Sequence, residues 1–126
     1  MWIFTLDALT SRIHHMSTKR TPQLSSRPHS LTPVVPDRFA PVLAELAEVS
    51  ELFRAADKRL YLVGGTVRDL LGGHTSTAID FDATTNARPD EIKRLLSGWA
   101  DAIWTQGEKF GTIGACKGER VYEITT

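Results

Sequence analysis

Residues 60–71 read LYLVGGTVRDLL, and residues 78–82 read AIDFD. The apolar run Leu60–Val63 is typical of a short buried strand, and the two glycines that follow it predict a turn. Thr66–Leu71 then predicts a short helix, which ends at a second glycine pair. In Ala78–Asp82, apolar and acidic side chains alternate, which predicts a strand with one apolar face and one acidic face.

The flanking sequence extends this pattern into an α/β fold. Residues 37–57 predict an amphipathic helix with Asp37 as its N-cap, and Pro89 opens a further helix. Ala102–Thr105 predicts a strand, and residues 112–126 predict a hairpin with the four-residue loop Lys117–Arg120. This order of elements indicates a mixed sheet flanked by helices.

The first 36 residues are expected to form a disordered or poorly ordered tail, with the folded domain in residues 37–126. Four prolines fall between positions 22 and 36, and such a stretch buries too little apolar area to offset its ordering entropy. Its acid-poor composition also resembles an organelle transit peptide, and Met16 is an alternative start. The chain stops at Thr126 inside a predicted strand, so we expect a domain truncated on its C-terminal side.

Composition narrows the class of protein. Fifteen basic residues balance fifteen acidic ones, so any contact with RNA has to be local or depend on sequence outside this chain. Cys116 is the only cysteine, which excludes an internal disulfide and favours a reducing compartment; we expect the cytoplasm. No apolar run approaches 18 residues, so no membrane span is predicted.

Asp80 and Asp82 are the first candidates for chemistry. Carboxylates at positions i and i+2 of a strand project from the same face, about 7 Å apart along the backbone. Two such groups repel each other unless a cation neutralises them, and Mg²⁺ prefers oxygen ligands. Taken alone, this pair is a weak signal, because a lone Asp-x-Asp is more often a solvated turn than a metal site.

Two further features lie near this pair in the predicted fold. Gly64 and Gly65 join a strand to a helix, where backbone N–H groups can approach a phosphate, although taken alone the pair is better explained as a simple tight turn. Glu123 lies within a β-rich run, where it is either a third metal ligand or part of an exposed strand face.

Together, residues 62–71 and 80–85 resemble the head-domain signature of class II CCA-adding enzymes and bacterial poly(A) polymerases. That signature has Gly-Gly-x-Val-Arg-Asp, then Asp-x-Asp followed by Thr. Residues 86–89, 110–113 and 122–126 also look like the family. The resemblance covers about residues 40–126, with one departure: Gly72 stands where the family often has a second Leu.

The resemblance implies an α/β, polymerase-β-like nucleotidyltransferase head and a role for each site residue. Asp80, Asp82 and Glu123 would be catalytic and would bind Mg²⁺, or Mn²⁺, in a two-metal site. Four residues would bind the nucleotide: Gly64, Gly65, Thr66 and Arg68. Asp69 would order the turn, for example by pairing with Arg68, and Phe110-Gly111-Thr112 is taken as structural.

The implied activity is transfer of nucleotides from CTP or ATP to the 3′ end of tRNA. The alternatives are a poly(A) polymerase head and a non-catalytic chain that only binds nucleotide, metal or a partner. A phosphate-binding hydrolase would need a general base near the acids, and His74 is the sole histidine of residues 37–126. The isolated chain is expected to have little or no activity, and the sequence does not determine its oligomeric state.

Overall fold

The computed structural model describes residues 4–5, 35–74, 80–107 and 111–126. It contains three α-helices, which are α1 (Ala40–Ala55), α2 (Gly65–Leu71) and α3 (Pro89–Leu96), with a 3-10 turn at Asp37–Phe39 before α1. Its six strands are β1 (Phe4–Thr5), β2 (Leu60–Val63), β3 (Asp80–Thr85), β4 (Ala102–Gln106), β5 (Thr112–Lys117) and β6 (Arg120–Thr125).

The strands form one sheet in the order β1-β2-β3-β6-β5-β4. β3 and β6 are parallel, whereas the other neighbouring pairs are antiparallel, so the predicted mixed sheet is confirmed. β3 and β6 are far apart in sequence but adjacent at the centre of the sheet. This adjacency brings the strand that carries Asp80 and Asp82 beside the strand that carries Glu123.

The helices cover one face of the sheet. Phe53 of α1 and Ile92 of α3 are fully buried in the same apolar cluster as Phe81 and Tyr122 of the central strands. The Phe81 and Tyr122 rings lie 5.6 Å apart, and Trp99 meets Tyr122 edge-on at 5.2 Å. Because alternate residues of a strand point to opposite faces, burying these rings turns the residues between them towards the opposite face.

Several predicted boundaries need correction. Asp37 is not a helix cap: Pro36 precedes the 3-10 turn, and no side chain caps it. β3 continues to Thr85 rather than ending at Asp82, because its partners β2 and β6 extend the pairing; Ala78 and Ile79 lie outside the described residues.

The hairpin loop is also shorter than predicted. Lys117 pairs with Arg120, which leaves a two-residue turn, Gly118-Glu119. Gly118 has φ +57° at the first turn position, where a type II′ turn places glycine.

The predicted tail also contains a described element. Phe4 and Thr5 pair with Leu62 and Tyr61 of β2, while most of residues 1–36 lie outside the described residues. The prediction of a poorly ordered tail is therefore untested for those positions. In the described part of the chain, every helix is too short or too polar to cross a lipid bilayer.

Candidate active site

Two acidic side chains meet at the centre of the sheet. Asp82 of β3 and Glu123 of β6 are register partners in the parallel pair, so their side chains project from the same face of adjacent strands. Adjacent strands are about 5 Å apart, which places the two carboxylates side by side. The preceding register pair, Phe81 and Tyr122, is buried on the helix-covered face. Core packing therefore determines the direction of both acids.

These acids line an open cleft of about 490 Å³ together with Gly64. The other lining residues come from all five longer strands: Val63, Ala83, Thr84, Gln106, Thr112 and Thr125. Asp82 and Glu123 therefore share one pocket.

Gly64 lies directly against Asp82. It has φ +79° and ψ −152°, a conformation that only glycine adopts readily. A Cβ atom built on Gly64 would lie 2.8 Å from the Asp82 Oδ2 atom, inside normal contact distance. Glycine at position 64 therefore lets the backbone at the start of α2 approach the Asp82 carboxylate closely, and a side chain at this position would prevent that approach.

Asp80 stands beside this pair rather than within it. Its register partner is Val121, it is exposed, and it is not among the residues that line the cleft. Within the described ranges, no three His, Cys, Asp or Glu side chains are close enough to hold one ion together. The structure thus brings two of the three predicted ligands together and leaves Asp80 on the same face, two residues earlier on β3.

The donor set fits a divalent cation. No described Lys or Arg forms an ion pair with Asp80, Asp82 or Glu123, although seven such pairs are formed elsewhere in the described domain. Mg²⁺ is commonly bound in proteins by one or two carboxylates, and water and substrate phosphates complete its coordination. Asp82 and Glu123 supply that number of carboxylates at an accessible surface.

The other predicted nucleotide contacts lie on α2. Arg68 is exposed, and its Nε atom donates to Asp69 Oδ1 at 3.1 Å, so the predicted pairing of these two residues is present. The Arg68 guanidinium also passes over Gly65, 3.4 Å from the position of a Cβ atom built there. Thr66 is 7% exposed, so it presents little surface to a ligand.

Sequence reasoning missed the threonines of the cleft. Thr84 continues the alternation that placed Asp80 and Asp82 on one face, so the period of two was a usable signal. Thr112 and Thr125 come together through the β5–β6 register, and their hydroxyl oxygens are hydrogen-bonded at 2.8 Å. The predicted four-residue loop already placed Cys116 opposite Val121, which is the observed register, so this contact was also accessible from the sequence.

Comparison with known proteins identifies the family. Residues 60–126 match the model of the poly(A) polymerase head domain. The chain belongs to this family. Human CCA tRNA nucleotidyltransferase 1, mitochondrial, is 42% identical over 82 residues, which cover 64% of this chain and 18% of that protein. Poly(A) polymerase I of Salmonella typhi is 33% identical over 108 residues, which cover 82% of this chain and 22% of that protein.

A solved structure supports the same assignment for the head domain. The crystal structure of the Bacillus stearothermophilus CCA-adding enzyme in complex with CTP matches with a TM-score of 0.56 and 27% identity. The match covers 73% of this chain and 21% of that one. The head-domain fold expected from the sequence is confirmed. The chain spans about a fifth of the length of the relatives it matches.

Proposed function

We propose that this head domain carries the catalytic site for metal-dependent nucleotidyl transfer from CTP or ATP to the 3′ end of tRNA, as in CCA addition or repair. One observation carries the proposal: Asp82 and Glu123 are aligned in register on adjacent parallel strands and line one cleft with Gly64. The family supplies the reaction class, and the names of its relatives supply the candidate substrates.

The acidic residues are proposed to hold Mg²⁺, or Mn²⁺ in its place. Asp82 and Glu123 are the central ligands, and Asp80 is the third carboxylate, since it lies on the same face of β3. Divalent ions bound there would supply activation of the RNA 3′-hydroxyl group and charge stabilisation of the pyrophosphate leaving group.

The start of α2 is proposed to hold the triphosphate. The backbone N–H groups of Gly64, Gly65 and Thr66 supply neutral donors, and Gly64 allows the close approach that its contact with Asp82 demonstrates. Arg68 is exposed and forks onto phosphate oxygens more effectively than a lysine would. Positioning by these groups accounts for much of the expected rate enhancement.

A poly(A) polymerase head is the second candidate. The 33% identity to the Salmonella typhi enzyme extends over 108 residues, a longer match than the human relative gives. Both candidates use the same site chemistry, so they differ in the nucleotide chosen and the RNA accepted. Because the isolated chain is expected to have little activity, the test is a radiolabel assay that detects trace nucleotide incorporation. Incorporation of CTP and ATP into tRNA lacking its CCA end would support CCA addition, and incorporation of ATP into an unstructured RNA would support poly(A) synthesis.

Location in the cytoplasm is also proposed, on the ground of the lone cysteine, Cys116. The transit-peptide alternative is tested by imaging a C-terminal fluorescent fusion. Signal confined to an organelle would refute the cytoplasmic proposal.

Metal binding tests the site directly. Calorimetric titration with Mn²⁺ should show binding to the wild-type chain and at least about tenfold weaker binding to Asp82→Asn and Glu123→Gln. Glu119→Gln is the matched control, because Glu119 is an exposed acid in the β5–β6 turn. Equal affinity in all four proteins would refute the proposed metal site.

A further inference from the structure

Trp104 lies on the same sheet face as the two central carboxylates. In the antiparallel pairs, Trp104 of β4 is the register partner of Gly114, and Gly114 is the register partner of Glu123. Glu123 in turn pairs with Asp82, so these four residues form one row across the sheet. Register partners project to the same face, and Ile103, which precedes Trp104, packs against the core on the other face.

The Trp104 indole is folded over Gly114. A Cβ atom built on Gly114 would lie 2.2 Å from Trp104 Nε1 and 2.3 Å from Cε2, so a side chain at Gly114 would occupy the space that the indole fills. Several glycines of the described chain have a positive φ, but Gly114 does not. Its backbone conformation is therefore open to other residue types. Glycine is required at this position because the Trp104 indole occupies the space of a Cβ atom.

The indole is both oriented and accessible. Trp104 Nε1 donates to Gln106 Oε1 at 3.3 Å, and Gln106 lines the cleft that Asp82 and Glu123 share. Trp104 is 37% exposed, and among the described residues no other large hydrophobic side chain is classed as exposed. A tryptophan that served only to pack the sheet would be expected on the helix-covered face, where Trp99 packs against Tyr122.

The spacing suits a nucleotide. Two strand spacings, about 10 Å, separate the backbones of β4 and β6, and the indole lies over the strand between them. A phosphate bound near Asp82 and Glu123 would therefore have an aromatic surface one strand away in the same row. Aromatic side chains beside polar grooves are the usual platforms for unpaired bases, and stacking on them tolerates any base.

The geometry points to a nucleobase subsite in which Trp104, seated on Gly114, stacks against a base held next to the carboxylates. This inference rests on the proposed function and adds a base-binding group to it. The base belongs either to the incoming nucleotide or to the 3′-terminal residue of the RNA, and both sources present the same π-face.

The test compares ligands with and without a base. Calorimetry with Mg²⁺ present would measure affinity for CTP, ATP, inorganic triphosphate and a single-stranded RNA trinucleotide. Trp104→Leu should weaken binding of at least one base-bearing ligand about tenfold and leave inorganic triphosphate unchanged. Trp104→Phe, which keeps an aromatic face, should retain most of the affinity. Loss for CTP and ATP assigns the subsite to the incoming nucleotide, whereas loss for the trinucleotide assigns it to the RNA end.

Gly114→Ala gives an independent test, because its Cβ displaces the indole without removing it. It should reproduce the effect of Trp104→Leu, whereas Gly98→Ala, with nothing within 4 Å of its added Cβ, should match the wild type. Base-bearing ligands that bind Trp104→Leu within twofold of the wild type would overturn the subsite.

The same titrations separate this inference from the proposed function. Asp82→Asn should lose the Mg²⁺-dependent binding of inorganic triphosphate, which carries no base. If Asp82→Asn still binds inorganic triphosphate in a Mg²⁺-dependent manner, the proposed metal site is refuted. A normal result there, combined with unchanged base binding in Trp104→Leu, refutes only the stacking subsite.

Discussion

Replacing Gly64 with alanine should damage stability and metal binding by two separable routes. The first route is backbone strain, because Gly64 has φ +79° and ψ −152°. A residue with a Cβ atom pays about 1–3 kcal/mol in such a conformation. For a domain of this size, the melting temperature should fall by about 5–20 °C.

The second route acts on Asp82. The added Cβ atom would lie 2.8 Å from Oδ2, whereas ordinary contacts begin at 3.4 Å, so the oxygen has to withdraw by about 0.6 Å. A functional carboxylate needs to be held within about 0.5 Å of its productive position. We therefore expect Mn²⁺ affinity to fall about tenfold, although the aspartate itself is intact.

Gly73→Ala is the matched control. Gly73 has φ +86°, but a Cβ atom there meets nothing within 4 Å. It should lower the melting temperature through strain and leave Mn²⁺ affinity unchanged, as measured by thermal denaturation and calorimetry on the same samples. The reasoning fails if Gly64→Ala loses stability yet binds Mn²⁺ as tightly as the wild type. It also fails if Gly64→Ala and Gly73→Ala lower the affinity for Mn²⁺ equally.

Two further predictions concern the scaffold that supports the site. Phe53→Ala removes a fully buried ring from α1 and should cost about 3–5 kcal/mol in urea denaturation; a loss below about 1 kcal/mol would show that the ring is not part of the core. The pKa of Glu91 is lowered below its usual value of 4.5, because its carboxylate accepts the backbone N–H of Arg88 and, as the next cause, a hydrogen bond from Lys58. A lowered folded-state pKa stabilises the domain above pH 4.5, and this contribution is lost as the pH falls through the folded pKa. Glu91→Gln should therefore lower the urea midpoint more at pH 7 than at pH 3; an equal loss at both would contradict this linkage.

The strands and helices near the glycine turn were predictable because local sequence determines them. Leu60–Val63 is a strand with the predicted limits, and α2 begins at Gly65, one residue before the predicted start. Apolar runs bounded by glycine leave few alternatives at this scale. The predicted turn at Lys117–Arg120 was too long, because the sequence alone did not show that Lys117 and Arg120 pair.

The sequence named the residues of the candidate site but not their arrangement. The alternation in β3 and β6 indicated which face each acid occupies, yet their proximity depends on a parallel pairing between segments about 40 residues apart. Register also decides which acid of β3 lies opposite Glu123, and it selects Asp82 rather than Asp80. The row that includes Trp104 depends on two more strand pairings, so no local pattern could reveal it.

The same register that buries the core therefore also creates the site. Phe81 and Tyr122 are partners on one face, and Asp82 and Glu123 are partners in the next row on the other. A slip of one residue in either strand would bury a carboxylate beneath the helices and expose an aromatic ring, at a cost of several kcal/mol. Burial of the Phe81 and Tyr122 rings thus excludes the shifted registers in which Asp82 and Glu123 would no longer be partners. The carboxylates need no attraction of their own to meet, which is why two acidic side chains can be held side by side.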